Sequence, residues 1–337
     1  MNILLTCVGR RNYLVNFFKE SLKDSGKVYA TDVQASAPGM VDADLSFIVP
    51  SVYDSGYIDA LVQLIKDHHI NAVVSLNDLE LPILAKNKSR IEATGAKLIV
   101  SDSEIIDTAF DKIKTNHFIE NIGLNVPATY TSITKAKEAI EAGRLQFPLV
   151  VKPRWGSASI GLDFPEDLEE LEFVFQLQKK RLVRSMLSTA SQSDIENEIL
   201  IQEKIRGEEY GLDILNDFEG NYIGTFVRKK LSMRSGETDK AISIIDERFN
   251  TVGKLISKNL KHIGNLDCDV FDCNGELFVL ELNPRFGGGY PFSHLAGAHT
   301  TSAYISWLKG DKDVLKHLSY QAYQAFSKYD NLMKIEV

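Results

Sequence analysis

The stretch VLELNPRFGGG, Val279 to Gly289, decides how the chain is interpreted. An apolar run that is typical of a buried strand leads into Glu281, Asn283 and Arg285, three polar residues spaced two apart, and then into three glycines. Because successive side chains point to opposite faces of a strand, these three point to the same side. A carboxylate, an amide and a guanidinium gathered at one strand end predict a site for a charged ligand.

The segment before this strand supplies another acidic group. The text CDVFDCNGELFVLEL predicts a β-hairpin turned by Asn274 and Gly275. Hairpin pairing brings Asp267 across from Glu281 and Asn283, and two carboxylates placed so close repel unless a cation lies between them. Hard cations such as Mg²⁺ prefer oxygen ligands of this kind, so these three residues are the predicted metal ligands. The carboxylates interpreted as surface groups that merely solvate the sheet are Asp269, Asp272 and Glu276.

Two lysines are candidates for contact with phosphate. Lys152 ends the apolar strand FPLVVK and precedes the loop PRWGSASIG, whose small residues let backbone N–H groups approach an anion closely. The P-loop pattern GxxxxGK[ST] is absent, and a plain hairpin with a flexible tip is the alternative interpretation. Lys112 lies near the start of the predicted helix from Phe110 to Gly123 and adds a second positive charge. The small loop residues assigned to the phosphate are Gly156, Ser157, Ser159 and Gly161.

The segment QEKIRGEEY predicts the exit of one strand and the start of the next. The backbone at Glu203, Lys204 and Ile205 can pair with the edge of an adenine, and Glu209, six residues after Glu203, can accept hydrogen bonds from ribose hydroxyls. An exposed turn between charged strand ends is the alternative interpretation.

The first hundred residues alternate aliphatic runs with amphipathic segments, which predicts βαβ units and a parallel sheet covered by helices. Gly9 and Asp32 stand where a dinucleotide-binding unit would place them, but CVGRRN never completes GxGxxG. Strand ends in such sheets face a common crevice, so the residues after the first and fourth strands are candidates for holding a small polar substrate. Solvated turn residues and helix caps remain the alternative for each of them. These candidates are Gly9, Arg10 and Arg11 after the first strand and Asn77, Asp78 and Glu80 after the fourth.

Composition narrows the functional class. The 337 residues are 44% hydrophobic and 25% charged, with a formal net charge of −8, which disfavours a mainly electrostatic grip on nucleic acid. Three cysteines without a CxxC pair indicate neither a disulfide framework nor a zinc ribbon. No stretch approaches the 18 or so apolar residues of a membrane span, and the N-terminal run ILLTCVG lacks the preceding basic region of a signal peptide. A cytoplasmic protein is expected.

Taken in order, four motifs resemble the ATP-grasp superfamily, and most closely the branch that holds the carbamoyl phosphate synthetase large chain and short carboxylate-amine ligases. The motifs are FDKIKTNHFIENIGLNVPATY, FPLVVKPRWGSASIG, LIQEKIRGEEYGLDI and LELNPRFGGG. The resemblance implies an α/β chain: a Rossmann-like parallel sheet, the pre-ATP-grasp domain, at residues 1–104, then an ATP-grasp α+β fold at residues 105–337. A mobile lid subdomain is expected at about residues 125–202.

The same resemblance implies ATP and two Mg²⁺ ions as cofactors, with Mn²⁺ as an alternative metal. ATP would be held by Lys112, Lys152, the loop Gly156–Gly161, Glu203, Lys204, Ile205 and Glu209. The metal ions would be bound by Asp267, Glu281 and Asn283, although many relatives carry Gln or Glu in place of Asp267. The residues assigned to catalysis are Arg285, Lys112 and Asn283. The substrate would be held by Gly9, Arg10, Asn77, Asp78, Glu80, Arg285 and Gly288.

The function implied is an ATP-dependent ligase that joins a small carboxylate to an amine through an acyl phosphate, releasing ADP and phosphate. Such chemistry needs little acid or base from the protein and depends on charge positioning, which these residues supply. One alternative is a carboxyl or carbamate kinase-like carbamoyl phosphate synthase homologue; another is a non-catalytic ATP-binding accessory subunit. Retention of Glu281, Asn283 and Arg285 favours turnover. A homodimer is left open, and neither nucleic acid nor membrane is an expected partner.

Overall fold

The computed structural model describes residues 1–156, 161–192 and 194–335, and the chain begins with a five-stranded parallel sheet. The strands lie in the order β3-β2-β1-β4-β5. On the central strand, Ile3, Leu4 and Leu5 are fully buried, as expected for a parallel strand covered on both faces. The strands are β1 (Asn2–Thr6), β2 (Lys27–Asp32), β3 (Leu45–Ile48), β4 (Ala72–Ser75) and β5 (Lys97–Ile99).

Helices cover both faces of this sheet and then lead away from it. Leu14 and Phe18 of the first helix pack on one face with Ile3, while Leu61 and Ile65 of the third pack on the other. The predicted parallel α/β unit is therefore confirmed. The helices are α1 (Asn12–Leu22), α2 (Pro38–Asp42), α3 (Tyr57–Asp67), α4 (Leu81–Lys86), α5 (Lys88–Glu92), α6 (Ser103–Phe110) and α7 (Lys112–Asn121).

A small three-stranded antiparallel sheet follows, in the order β6-β8-β7. Its buried side packs against two helices, through Ala139 of the first and Phe175 of the second. Beside β7, Val151 and Asp163 form an isolated antiparallel bridge. The elements are β6 (Thr129–Tyr130), α8 (Ile133–Glu141), β7 (Leu149–Pro153), α9 (Leu168–Val183), α10 (Ser188–Ser191) and β8 (Ile199–Glu203).

The last part of the chain forms a six-stranded antiparallel sheet in the order β13-β12-β9-β10-β11-β14. The predicted hairpin is confirmed: β12 and β13 are joined by Asn274 and Gly275, which have φ angles of 54° and 97°. Two successive positive φ values are the geometry that favours Asn-Gly in hairpin turns. The elements are β9 (Glu208–Asn216), β10 (Tyr222–Arg234), β11 (Glu237–Ile244), α11 (Glu247–Leu260), β12 (Gly264–Cys273), β13 (Glu276–Asn283), α12 (Tyr290–Leu295), α13 (Thr300–Leu308) and β14 (Ala325–Ser327).

One hydrophobic core joins the parallel sheet to the antiparallel one. Phe18 of α1 makes edge-to-face contacts with Phe286 and Tyr304, with ring centroids 6.0 Å and 6.2 Å apart. All three side chains belong to a cluster that also contains Leu5 of β1 and Leu215 of β9. This shared core holds the strand ends of the N-terminal sheet against the segment that follows β13. Among the described residues, no helix has both the length and the apolar character needed to cross a bilayer.

We expect Phe18→Ala to destabilise the protein by about 3–5 kcal/mol, because it empties a fully buried aromatic site between the two sheets. The measurement is urea unfolding followed by far-UV circular dichroism. Phe173→Ala on α9, where the side chain is 68% exposed, is the matched control and should change stability by less than about 0.5 kcal/mol. Equal losses from the two variants would show that Phe18 does not join the sheets.

Candidate functional site

A cavity of about 680 Å³ lies between the three-stranded sheet and the six-stranded sheet. Its walls come from the end of β7, the segment after β8, the start of α7, and the strands β9, β12 and β13. The sequence-predicted residues that it brings together are Lys112, Lys152, Gly156, Glu203, Lys204, Ile205, Glu209 and Glu281. The phosphate, base, ribose and metal groups inferred from separate motifs therefore line one space.

The basic wall of the cavity is formed by two lysines. Lys152 is the next-to-last residue of the buried strand β7 and is 9% exposed; among the described residues no hydrogen-bond or ion-pair partner reaches its Nζ. Lys112 begins α7 and its Nζ donates to the backbone oxygen of Gly156. Burial, followed by the nearby ammonium of Lys112, lowers the pKa of Lys152 to about 8, although Glu281 and Asp269 act in the opposite direction. A buried ammonium without a partner is suited to an anion.

The glycine loop after β7 is anchored at its described ends. Gly156 and Gly161 have φ angles of 109° and 71°, which favour glycine. Arg154 donates two hydrogen bonds of 2.7 Å to the carboxylate of Asp111, the N-cap of α7, so the start of the loop is fixed to the helix that carries Lys112. Ser157 and Ser159, assigned to the phosphate, lie outside the described residues.

The base and ribose candidates line another part of the cavity. Glu203 accepts a hydrogen bond of 3.2 Å from the backbone N–H of Ala128, and the ammonium of Lys204 lies over the ring of Phe164. The side chain of Glu209 is paired with Lys230 at 2.7 Å. Burial raises the pKa of Glu209, while Lys230 opposes that change. These contacts exclude the alternative of a freely solvated turn for Glu209.

On the acidic wall of the cavity, the pairing of β12 with β13 differs from the predicted hairpin register. Asp267 is opposite Asn283, and Asp269 is opposite Glu281, because a bulge follows Asp269 in the pairing of β12 with β13. Asp269 and Glu281 both line the cavity, and Asn283 donates a hydrogen bond of 3.3 Å to Glu281. The interpretation of Asp269 as a surface carboxylate is therefore wrong; its side chain is 18% exposed and is paired with Lys230.

Asp267 lies two residues before Asp269 on β12, and it does not line the cavity. Its carboxylate is 2.7 Å from the guanidinium of Arg228 and 3.7 Å from that of Arg285. The expected cluster of three oxygen-bearing side chains is therefore split. Two carboxylates and an amide, Asp269, Glu281 and Asn283, form a donor set suited to a hard divalent cation that also takes oxygens from a ligand. Within the described ranges, no group of three or more His, Cys, Asp or Glu side chains is arranged to hold a metal.

Strand β10 supplies cations that the motif analysis missed. Arg228 and Lys230 are two residues apart, so both point to the same face of the sheet. Lys230 is paired with Asp269 and with Glu209, each at 2.7 Å. Burial would lower the pKa of Lys230, but the two carboxylates outweigh it and the pKa is raised. The signal in the sequence is the stretch VRKKL, in which Arg228 and Lys230 have the spacing that puts two residues on the same face of a strand.

Arg285 lies where the two sheets meet. It is 7% exposed, and its guanidinium is paired with Asp78, which follows β4 of the N-terminal sheet. Arg11 reaches the same place and donates a hydrogen bond of 2.9 Å to the backbone oxygen of Phe286. Asp78 and Arg11, which follow two strands of the N-terminal sheet, therefore both contact the segment after β13. Gly288 in the glycine run lies against the carboxylate of Glu237.

Other residues proposed for the substrate are placed differently. Glu80 is fully buried and accepts hydrogen bonds from the hydroxyls of Thr6, Ser75 and Tyr57, so it does not face the crevice. Burial raises its pKa although these hydroxyls act in the opposite direction. Asn77 accepts a hydrogen bond of 2.9 Å from the N–H of Leu79, as a turn residue does.

The remaining substrate candidates are at the end of β1. Gly9 has a φ angle of 47°, and its N–H donates to the carboxylate of Asp32 at 2.9 Å. Arg10 is exposed, and no ion pair holds it among the described residues.

Comparison with known proteins places these features in a family. Residues 145–291 match the model of the ATP-grasp domain, and residues 3–99 match the PylC-like, N-terminal domain. The carbamoyl phosphate synthase large chain of Campylobacter jejuni is 25% identical over 244 residues, 68% of this chain and 21% of that protein. This chain therefore spans about a fifth of the length of the curated relatives it matches.

Two solved structures show the same fold. One is the biotin carboxylase domain of Hydrogenobacter thermophilus 2-oxoglutarate carboxylase, a dimer in complex with MgADP, ADP and bicarbonate; the TM-score is 0.72 at 16% identity, covering 96% of this chain and 73% of the other. The other is the L-amino acid ligase of Bacillus licheniformis, with a TM-score of 0.68 at 20% identity, covering 91% and 75%. The predicted fold class and the resemblance to ATP-grasp proteins are confirmed: the chain contains an ATP-grasp domain at residues 145–291, preceded by a PylC-like N-terminal domain at residues 3–99.

Proposed function

We propose that this chain is an ATP- and Mg²⁺-dependent ligase that joins the carboxylate of one small molecule to the amine of another through an acyl phosphate. The observation that carries the proposal is the cavity of about 680 Å³, which has the ammonium of Lys152 on one wall and the carboxylates of Asp269 and Glu281 on another. This volume falls within the roughly 300–1,000 Å³ of small-molecule sites. Opposed walls of opposite charge suit a nucleotide whose phosphates carry a metal ion.

In this proposal the nucleotide enters base first between the two sheets. Glu203, Lys204 and Ile205 bind the adenine edge, and Glu209 accepts hydrogen bonds from the ribose. The phosphates point towards Lys112, Lys152 and the glycine loop, where the buried ammonium of Lys152 has no hydrogen-bond or ion-pair partner among the residues that the structure describes. The biotin carboxylase domain that shares this fold was solved with MgADP, which supports a nucleotide and magnesium site of this kind.

The proposed metal ligands are Glu281 and Asn283 together with Asp269, which takes the place first given to Asp267. Asp269 and Glu281 are directly opposite each other in the register, so their like charges favour a cation between them. Mg²⁺, when bound there, would neutralise phosphate charge and align the transferred group. Two ions per site remain a prediction, as does a dimeric assembly.

The reaction proceeds in two balanced steps. A carboxylate oxygen of the substrate attacks the γ-phosphorus of ATP, the bond to ADP breaks, and an acyl phosphate forms. The amine nitrogen then attacks the acyl carbon, loses a proton and displaces phosphate. Arg285 is placed beside Asn283 at the meeting point of the two sheets, where its fixed positive charge can stabilise the transferred phosphoryl group. The substrate would lie in the adjoining crevice near Arg10 and Gly288.

The test is a screen of amino acids and other carboxylates, alone and in pairs with amines, for Mg²⁺-dependent release of ADP. We expect release that requires both an acid and an amine. ADP release with the acid alone would instead indicate a kinase-like reaction that stops at the acyl phosphate. Binding of ATP without any turnover across the screen would favour an accessory subunit.

Glu281→Gln should lower ADP release by about 100-fold or more, because it removes a metal-binding charge with almost no change in volume. The measurement is a coupled ADP assay, with circular dichroism to verify the fold. Glu276→Gln is the matched control on the same strand, where the side chain is exposed near the turn. Normal turnover in Glu281→Gln would remove the metal site from the proposal.

Nucleotide affinity should fall as pH rises through about 8, the lowered pKa of Lys152, because the ammonium is charged below that pH and neutral above it. We expect about a 10-fold loss of ADP affinity from about pH 7 to about pH 9, measured by calorimetry. Lys152→Arg stays charged throughout and should lose this dependence, while Lys152→Ala should bind weakly at both values. A pH dependence that survives in Lys152→Arg would assign the titration to another group.

A further inference from the structure

Two carboxylates in the six-stranded sheet are direct neighbours in an almost dry environment. Asp213 of β9 and Asp267 of β12 are paired in register, and they are 0% and 8% exposed. Like charges directly opposite each other are destabilising, and burial increases the cost. Arg228 of β10 lies between them with its nitrogens 2.5 Å from Asp213 and 2.7 Å from Asp267. One guanidinium, 1% exposed, therefore forms an ion pair with both carboxylates.

The backbone around this group is shaped to admit it. A Cβ atom on Gly211 or Gly289 would lie 2.7 Å or 2.2 Å from guanidinium atoms of Arg228. A Cβ atom on Gly287 would lie 2.2 Å from the carboxylate carbon of Asp267. Such distances are sterically excluded, so a side chain at any of these positions would displace a charged group. The glycine run after Arg285 is therefore fitted to the ion pairs beneath it.

The pairing continues to the proposed catalytic arginine. Asp267 uses one carboxylate oxygen for Arg228, and the other lies 3.7 Å from Nη1 of Arg285. Asp78, from the N-terminal sheet, pairs with Nη2 of Arg285 on the opposite side. Charges of alternating sign thus run from the centre of the antiparallel sheet to the crevice. We name this set the arginine row: Asp213, Arg228, Asp267, Arg285 and Asp78.

We infer that Arg228 and Asp267 are positioning residues that fix the guanidinium of Arg285 for phosphoryl transfer, and that Asp267 does not bind metal. The inference rests on the proposed function, in which Arg285 contacts the transferred phosphate. It follows from the register: Asp267 is held between two arginines, whereas Asp269, two residues along the same face, lines the cavity opposite Glu281. Removing the charge of Asp267 should leave Arg285 with Asp78 as its one carboxylate partner in the row.

The first arm of the test measures metal binding. Asp267→Asn and its matched neighbour Asp269→Asn are titrated with Mn²⁺ in the presence of ADP, and free Mn²⁺ is measured by electron paramagnetic resonance. We expect Asp269→Asn to weaken Mn²⁺ binding by about 10-fold or more, and Asp267→Asn to change it by less than about 3-fold. Equal losses in the two variants would make Asp267 a metal ligand and overturn the inference.

The second arm is a double-mutant cycle on Mg²⁺-dependent ADP release, with the best acid and amine from the screen or with ATP alone. We expect Asp267→Asn to lower kcat by about 10- to 100-fold with KM for ATP nearly unchanged. In an Arg285→Lys background the same change should have almost no further effect, because a residue that acts through Arg285 has nothing left to position. A merely structural role would lower stability without this loss of additivity, and full additivity would contradict the inference.

Arg228→Lys is a further variant that we expect to fold, because it keeps a buried positive charge. It loses the planar guanidinium whose fixed donors hold both carboxylates. It should reduce kcat, as Asp267→Asn does, and leave Mn²⁺ binding intact; an unchanged kcat would count against a positioning role.

Failure of the proposed function can be distinguished from failure of this inference. If Arg285→Lys turns over normally, the role given to Arg285 is wrong; if Arg285→Lys is impaired while Asp267→Asn is normal, the positioning inference alone is wrong.

Discussion

Carboxylates that face one another across paired strands repel, and the six-stranded sheet meets this problem in two adjacent rows. In the first, Asp213 and Asp267 share the buried guanidinium of Arg228. In the second, Glu209 and Asp269 share the ammonium of Lys230. Both cations come from the same face of β10, so a single strand compensates the acidic groups of its neighbours. The rest of the site depends on this arrangement, because only then can so many acidic side chains line one side of a cavity.

The site also requires that the six-stranded sheet be held in a fixed position against the N-terminal sheet. The aromatic core around Phe18, Phe286 and Tyr304 joins the two sheets directly, and the residue before Phe286 is Arg285. Apolar packing on one side of the backbone and the ion pair with Asp78 on the other therefore act on neighbouring residues. The crevice is thus fixed by burial of hydrophobic surface and needs no separate hinge to bring the strand ends together.

The structural elements that depend on local periodicity could be predicted from the sequence. The parallel α/β unit and the hairpin at Asn274 and Gly275 followed from alternation and turn chemistry, and the cavity collects residues from four motifs. Asp269 was misjudged because a bulge shifts the hairpin register by one residue, and a bulge leaves no clear mark in a single sequence. Glu80 was misplaced because its hydroxyl partners, Thr6, Ser75 and Tyr57, come from three different elements. Contacts between distant segments are not visible in local patterns.

The glycine run after Arg285 has a consequence for how such a chain can diverge. Gly287 lies against Asp267, Gly288 against Glu237 and Gly289 against Arg228, so each glycine accommodates a side chain from a different strand. A side chain at Gly287 or Gly289 is therefore tolerated only together with a shorter residue at the matching distant position, whereas at Gly288 the end of the Glu237 side chain needs to move by only a few tenths of an ångström. Because Asp267 and Arg228 are themselves an ion pair, evolutionary change at Gly287 and Gly289 should consequently appear as one correlated group of replacements that includes both of these distant positions.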